Sequence, residues 1–212
     1  MTTTQGSGSG SVNDVVTASK DTHKAVLLPA GVPALPPAPR VIGLDLSLRS
    51  TGIAGATWTH NLHGPQLHDD ATDAERWKRI RRMRWLVVEH LGSPDLVVLE
   101  APSYGSNDPS GHERAGLWWL VIGACASREI PVLTIAPAKL KVYATGNGRA
   151  DKKAVLSATR TWRPDVSIVN DNAADALVLA AIGLDLLGHP PVDLPQTHRR
   201  ALDGVTLPAL QS

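Results

Sequence analysis

The sequence predicts an α/β fold, a mixed sheet flanked by helices, and three observations carry that reading. Short apolar runs of four or five residues end in a carboxylate, amphipathic stretches of helical period alternate with them, and a hairpin pattern opens the series. The chain has 212 residues, 42% of them hydrophobic, enough for one sizeable core.

Val41-Ile-Gly-Leu-Asp45 suits a buried strand closing on an acid, and Thr51 to Thr57 its hairpin partner, with Ser47 to Ser50 as the turn. A third, edge strand is expected around Gly64 to Leu67. From Asp73 to Leu91, apolar residues such as Trp77, Ile80, Met83 and Val87 recur among charges at spacings that give a helix one apolar face. Leu96 to Leu99 is a fully apolar strand ending at Glu100, and Glu113 to Glu129 a mostly buried helix holding Trp118, Trp119 and Cys125. Val132 to Ile135 is another strand. Pro137 to Tyr143 predicts a short helix, Thr145 to Arg149 a loop, and Asp151 caps a helix that runs to Trp162. Asn172 to Leu187 closes the series as a strongly apolar helix.

Residues 1–39, rich in Thr, Ser, Gly, Ala and Pro, predict a flexible N-terminal arm, and residues 189–212 a poorly ordered C-terminal tail around a folded domain at 40–188. Cys125 is the single cysteine, which excludes an internal disulfide or a cysteine-rich metal site and fits a reducing compartment. The chain start lacks signal-peptide order, and the longest apolar run, Ala115 to Ala126, is too short to span a bilayer. A soluble, cytoplasmic protein without a membrane partner is expected. The net charge of +1 means that nucleic-acid binding must rest on local clusters. No G-x-x-x-x-G-K-[ST] or G-x-S-x-G motif is present, and GSGSGS does not satisfy the dinucleotide fingerprint. His60, His63 and His68 match no zinc spacing and are taken as loop histidines, and Cys125 as a small buried hydrophobe.

Three carboxylates stand out by position: Asp45 and Glu100 at strand ends, and Asp175 near the start of the last helix. Ligand sites in such sheets gather at strand ends, and acids held there together repel unless a cation joins them. Mg²⁺ is the natural candidate, because it prefers a few carboxylate oxygens with water and phosphate.

The segments VIGLDLSLRSTGIA (41–54), LVVLEAP (96–102), IAPAKLKVYATGNGRADKKAV (135–155) and NDNAADALVLA (170–180) resemble, in order, the signatures of the RuvC-type Holliday junction resolvases of the RNase H-like superfamily. The first block is shared with sugar kinases and actin-like ATPases; the later two are specific. The resemblance implies an RNase H-like fold in a bacterial or phage member, a homodimer, and Mg²⁺-dependent paired nicking of branched DNA, four-way junctions above all, with Mn²⁺ as a substitute and no nucleotide cofactor. It makes Asp45, Glu100 and Asp175 metal ligands. The family's fourth ligand is an Asp or His three residues before the last aspartate, where this chain has Asn172. Asp171 lies on nearly the same face of the first helical turn and is taken as that ligand, with Asn172 the second choice.

Between Lys139 and Arg163 there are seven basic residues against one acid. Such a patch can hold DNA phosphates. By resemblance, Lys141 and Lys152 lie near the scissile phosphate, Lys152 as a catalytic group, with Arg149 and Lys153 as further DNA contacts and Tyr104 as an aromatic for an unpaired base. Lys153, Arg160 and Arg163 fit a solvated helix face equally well. The run Lys78, Arg79, Arg81, Arg82, Arg84 is taken as a solvated face. Trp118 and Trp119 suit the core or, by resemblance, a subunit interface. Two other functions compete: a junction-binding protein without catalysis, suggested by Asn172, and an actin-like nucleotide-binding domain, suggested by the first block.

Overall fold

The computed structural model describes residues 37–102 and 110–209, so Tyr104 and most of the N-terminal arm lie outside the described residues. Strand β1 (Val41–Asp45) occupies the middle of a five-stranded sheet. It pairs antiparallel with β2 (Ser50–Ala54), which pairs antiparallel with the edge strand β3 (Thr59–His63). On its other side β1 runs parallel to β4 (Leu96–Glu100), and β4 parallel to β5 (Val132–Ile135). The third strand is thus Thr59–His63 rather than 64–67. A turn closed by the Gly55 N–H donating to the Trp58 carbonyl ends β2 at Ala54, so its partner begins at once.

Side-chain alternation along the strands divides the core. Ile42, Leu44, Val97 and Leu99 face one side, under α1 (Asp73–Leu91) and α2 (Gly111–Ala126). Val41, Leu96 and Val98 face the other, under α3 (Pro137–Thr145), α4 (Lys152–Trp162) and α5 (Asp171–Leu186). Helix α1 opens with a capping box, in which the Thr72 hydroxyl accepts from the Glu75 N–H while the Glu75 carboxylate accepts from the Thr72 N–H. Helix α5 rests directly on the sheet. A Cβ on Gly43 would collide with the Ala176 carbonyl, and one on Gly52 with the Asn172 carbonyl.

Three cations for which a solvated helix face was expected, Arg79, Arg160 and Arg163, prove structural. Arg79 is buried and donates to Glu113 at 2.6 Å, with Arg76 on the other oxygen, tying α1 to α2. Arg163 is buried against Asp165 and the Ala56 carbonyl, and Arg160 caps the carbonyls of Ile168 and Val169. The expected poorly ordered tail is folded as far as residue 209: α6 (Gln196–Arg199) and a 3₁₀ turn (Arg200–Leu202) lie on α3. Its isolated charges have partners. Arg199 pairs with buried Asp185, Lys139 donates to the Ala201 and Asp203 carbonyls, and Leu194 and Ala201 are buried. Among the described residues no helix is long and apolar enough to cross a membrane.

Gly52→Ala is expected to lower unfolding free energy by about 1–3 kcal/mol, since its methyl meets backbone that cannot yield without moving α5. Gly123→Ala, where a Cβ meets nothing within 4 Å, is expected to be neutral or to gain up to about 1 kcal/mol through helix propensity. Urea denaturation of both variants measures the contrast.

Candidate active site

Parallel pairing of β1 with β4 aligns Leu44 with Leu99, which brings Asp45 and Glu100 to adjacent strand ends. Both lie two residues beyond positions that face α5, Gly43 and Val98, so the period of two turns both carboxylates towards that helix. The first turns of α5 supply Asp171 and Asp175, and Asn170 caps the helix by accepting from the Ala173 N–H. Asp45, Glu100 and Asp175 line a cleft of about 550 Å³ together with Lys141, Lys152, Asn172, Arg114 and Trp118.

The electrostatics follow from this crowding. Burial first, then the charge of Glu100, pushes Asp45 up to about 7. Burial and Asp175 push Glu100 up to about 7, and burial and Asp45 do the same to Asp175. The Lys152 charge opposes all three shifts. Its ammonium donates to Asp171 at 2.9 Å, a bond that holds Asp171 below the usual carboxylate range and raises Lys152. A lysine in the first turn of a helix opposes the helix dipole. Here Asp171 offsets that cost.

The two candidates for a fourth oxygen donor are placed differently. Asn172 lines the cleft, its amide donating to the Ser50 carbonyl at 2.7 Å, whereas Asp171 lies beside the lining and is engaged by Lys152. Arg149 and Lys153 are exposed and lie outside the lining. The expected pairing of Trp118 with Trp119 in the core or at an interface separates: Trp118 lines the cleft and donates from Nε1 to the Glu100 carbonyl at 3.2 Å, while Trp119 is 65% exposed. Arg114 is a cleft residue that sequence reasoning missed. Its signal was helical spacing, since Gly111, Arg114, Ala115 and Trp118 form one face of the helix that follows Glu100.

The donor set is made of hard carboxylate oxygens, which suits a cation such as Mg²⁺. Asp45 and Glu100 are close enough to hydrogen-bond each other. Among the described residues no three His, Cys, Asp or Glu side chains converge as they stand on one point, so a cation would have to draw these acids together. No zinc-type cluster forms at His60 or His63, which lie on β3, or at His68.

A mixed sheet in this order, with acids at the ends of adjacent parallel strands under a crossing helix, defines the fold class, and the solved structure of Thermus thermophilus RuvC shares it. That match has a TM-score of 0.52 at 22% identity and covers 71% of this chain and 97% of the other. The crossover junction endodeoxyribonuclease RuvC of Thermotoga petrophila is 30% identical over 154 residues, which is 66% of this chain and 89% of that protein. The chain belongs to the RuvC family. The RuvC proteins of Bacteroides fragilis and Renibacterium salmoninarum match at 31% and 39% identity, and the chain spans about half the length of each, 55% and 46%. No protein-family model matches the chain.

Because Asp45, Glu100 and Asp175 hold protons more tightly folded than unfolded, they add stability below about pH 4 that is lost as pH rises through about 7. In EDTA, Tm is expected to fall between pH 5.5 and pH 8, and Asp45→Asn to flatten that fall. The depressed Asp171 contributes its change below this window. A scanning-calorimetry series in which wild type keeps one Tm throughout contradicts the reading.

Proposed function

We propose that this chain is a structure-selective DNA endonuclease that resolves Holliday junctions and related branched DNA by metal-dependent phosphodiester hydrolysis. The observation that carries it is the acid-lined cleft at adjacent strand ends, rimmed by Lys141 and Lys152, in a chain of the RuvC family.

Asp45, Glu100 and Asp175 would hold Mg²⁺ or Mn²⁺, with Asp171 as the fourth donor and Asn172 as its alternative. When bound, such ions lower the pKa of the attacking water and stabilise the leaving 3′ oxygen. Burial and crowding of the carboxylates raise their affinity for any cation, proton or metal, that relieves the repulsion. Lys152 and Lys141 are cleft cations that can hold the scissile phosphate. Exposed Arg149 and Lys153 extend that contact to flanking phosphates, and Tyr104 stacks on an unpaired base. The products are 5′ phosphate and 3′ hydroxyl ends. Paired incisions require two clefts related by a two-fold axis, and the exposed Trp119 on α2 is the apolar anchor for such a homodimer.

The second reading, a junction binder without catalysis, draws on Asn172, whose amide is engaged by the Ser50 carbonyl. A labelled four-way junction incubated with Mg²⁺ or with EDTA separates the two. Wild type is expected to nick in Mg²⁺ and not in EDTA, and restored Mg²⁺ to recover nicking. Asp45→Asn is expected to lose roughly a thousandfold in nicking while its gel shift persists, the several kcal/mol that charge stabilisation by a held cation supplies. Junction shifted with its strands whole in Mg²⁺ favours the binder, and normal nicking by Asp45→Asn refutes the ligand assignment.

A further inference from the structure

We infer that the outward face of α1 is a second DNA-binding surface, lying outside the cleft; the inference rests on the proposed action on branched DNA. The face combines four cations, Lys78, Arg81, Arg82 and Arg84, with two indoles, Trp77 at 49% and Trp85 at 46% exposure. At 100° per residue these six positions fall within one arc of about 160°, opposite the buried Met83 and Val87. Their sequence run includes Arg79, but burial takes that residue into the α1–α2 joint and leaves the other four outside.

Among the described residues, none of these four cations forms an ion pair with a carboxylate. The neighbouring Glu75 is committed to its capping box with Thr72, and Glu89, one turn past Trp85, is the one carboxylate on the arc. The Arg82 guanidinium lies over the Trp85 ring, 4.3 Å from its centroid. That stacking leaves an oriented planar cation beside an exposed aromatic, the combination that grips a nucleic-acid strand through phosphate and base together.

The charge decides which occupant fits. A second copy meeting this face across a two-fold axis would set the same cations against themselves. A polyanion meets them with complementary charge and releases its own counterions. From Trp77 to Trp85 the helix rises about 12 Å. B-DNA carries one charge per ~3.4 Å of each strand, so three or four phosphates match the run. The position is also suitable. Arg76 and Arg79 bind Glu113, whose chain neighbour Arg114 lines the cleft, so the first turns of α1 are joined to the α2 wall of the cleft. A DNA arm leaving the cleft past α2 has α1 within reach.

The test uses the full chain in Mg²⁺-free buffer with a four-way junction whose arms are either fully duplex or carry single-stranded ends. Fluorescence anisotropy is read across a salt series, and sedimentation velocity without DNA. The K78Q/R81Q/R82Q/R84Q variant is expected to bind at least tenfold more weakly at 100 mM salt, with the slope of log K against log salt reduced by about 3 units, at ~0.9 per lost phosphate contact. Trp85→Leu is expected to lose about threefold to tenfold, chiefly on the junction with single-stranded ends. Affinity and slope unchanged in the quadruple variant, while wild type binds and nicks the junction, overturn this inference and leave the proposed function intact. A variant that alters sedimentation without altering DNA affinity assigns the face to protein contact and overturns it as well. Wild type that neither binds nor nicks the junction overturns both. None of the substituted positions is buried, so an unchanged Tm confirms that the folded state is compared throughout.

Discussion

The structure depends on one close approach, that of α5 to the backbone of β1 and β2. At Gly43 and Gly52 no side chain separates helix from sheet, and the carbonyls of Ala176 and Asn172 occupy the space that a Cβ would take. This contact brings the N-terminal turns of α5, with Asp171 and Asp175, against the strand ends that carry Asp45 and Glu100. The apolar remainder of α5 supplies the burial that opposes the repulsion. From Ala176 to Asp185 every residue of the helix is buried, and each apolar side chain fully removed from water contributes about 1.5–3 kcal/mol for residues of the size of Leu or Val. The core therefore holds this acidic cluster in place, and the raised proton affinity of the three carboxylates reflects their burial first and one another's charge second.

The cations of the chain divide by what each one touches, and sequence density does not distinguish them. Arg76 and Arg79 join two helices through Glu113, Arg160 and Arg163 fasten the loop after α4, and Lys139 and Arg199 hold the C-terminal segment to α3 and α5. Cations outside these joints include Lys141 and Lys152 in the cleft, exposed Arg149 and Lys153, and those on the outer face of α1.

Most of the fold was legible because its elements announce themselves by period and by their ends. Helix α1 ran from Asp73 to Leu91 in both sequence and structure, since a capping Thr and a terminating Gly bracket it. Strands β4 and β5 were equally plain as apolar runs between polar ends. The edge strand β3 was misplaced because Thr-His-Asn-Leu-His carries little apolar signal, its pairing being secured by a turn instead. The C-terminal segment was misread because its prolines and scattered charges resemble a tail. Only the buried Asp185, Tyr143 and the carbonyls near α3 show that those charges have partners. In the site, the three acids at element ends were visible. Arg114 and Trp118 were not, because the α2 sequence alone does not tell which of its faces meets the end of β4.

Among the described residues, Lys152 and Asp171 form the ion pair nearest the three crowded carboxylates. Two lysines open α4 against its dipole, and the first of them bonds Asp171, the first residue of α5. The pair is half exposed, so the bond is screened and exchangeable, worth little as a source of stability. Its value lies in charge balance. The Asp171 charge adds to the repulsion at Asp45 and Asp175, and the Lys152 charge opposes it at both. Under the proposed reaction, a DNA phosphate bound to the Lys152 ammonium would leave an Asp171 oxygen available to help hold a cation. Under that proposal, DNA binding and cation holding would be linked through the one lysine they share.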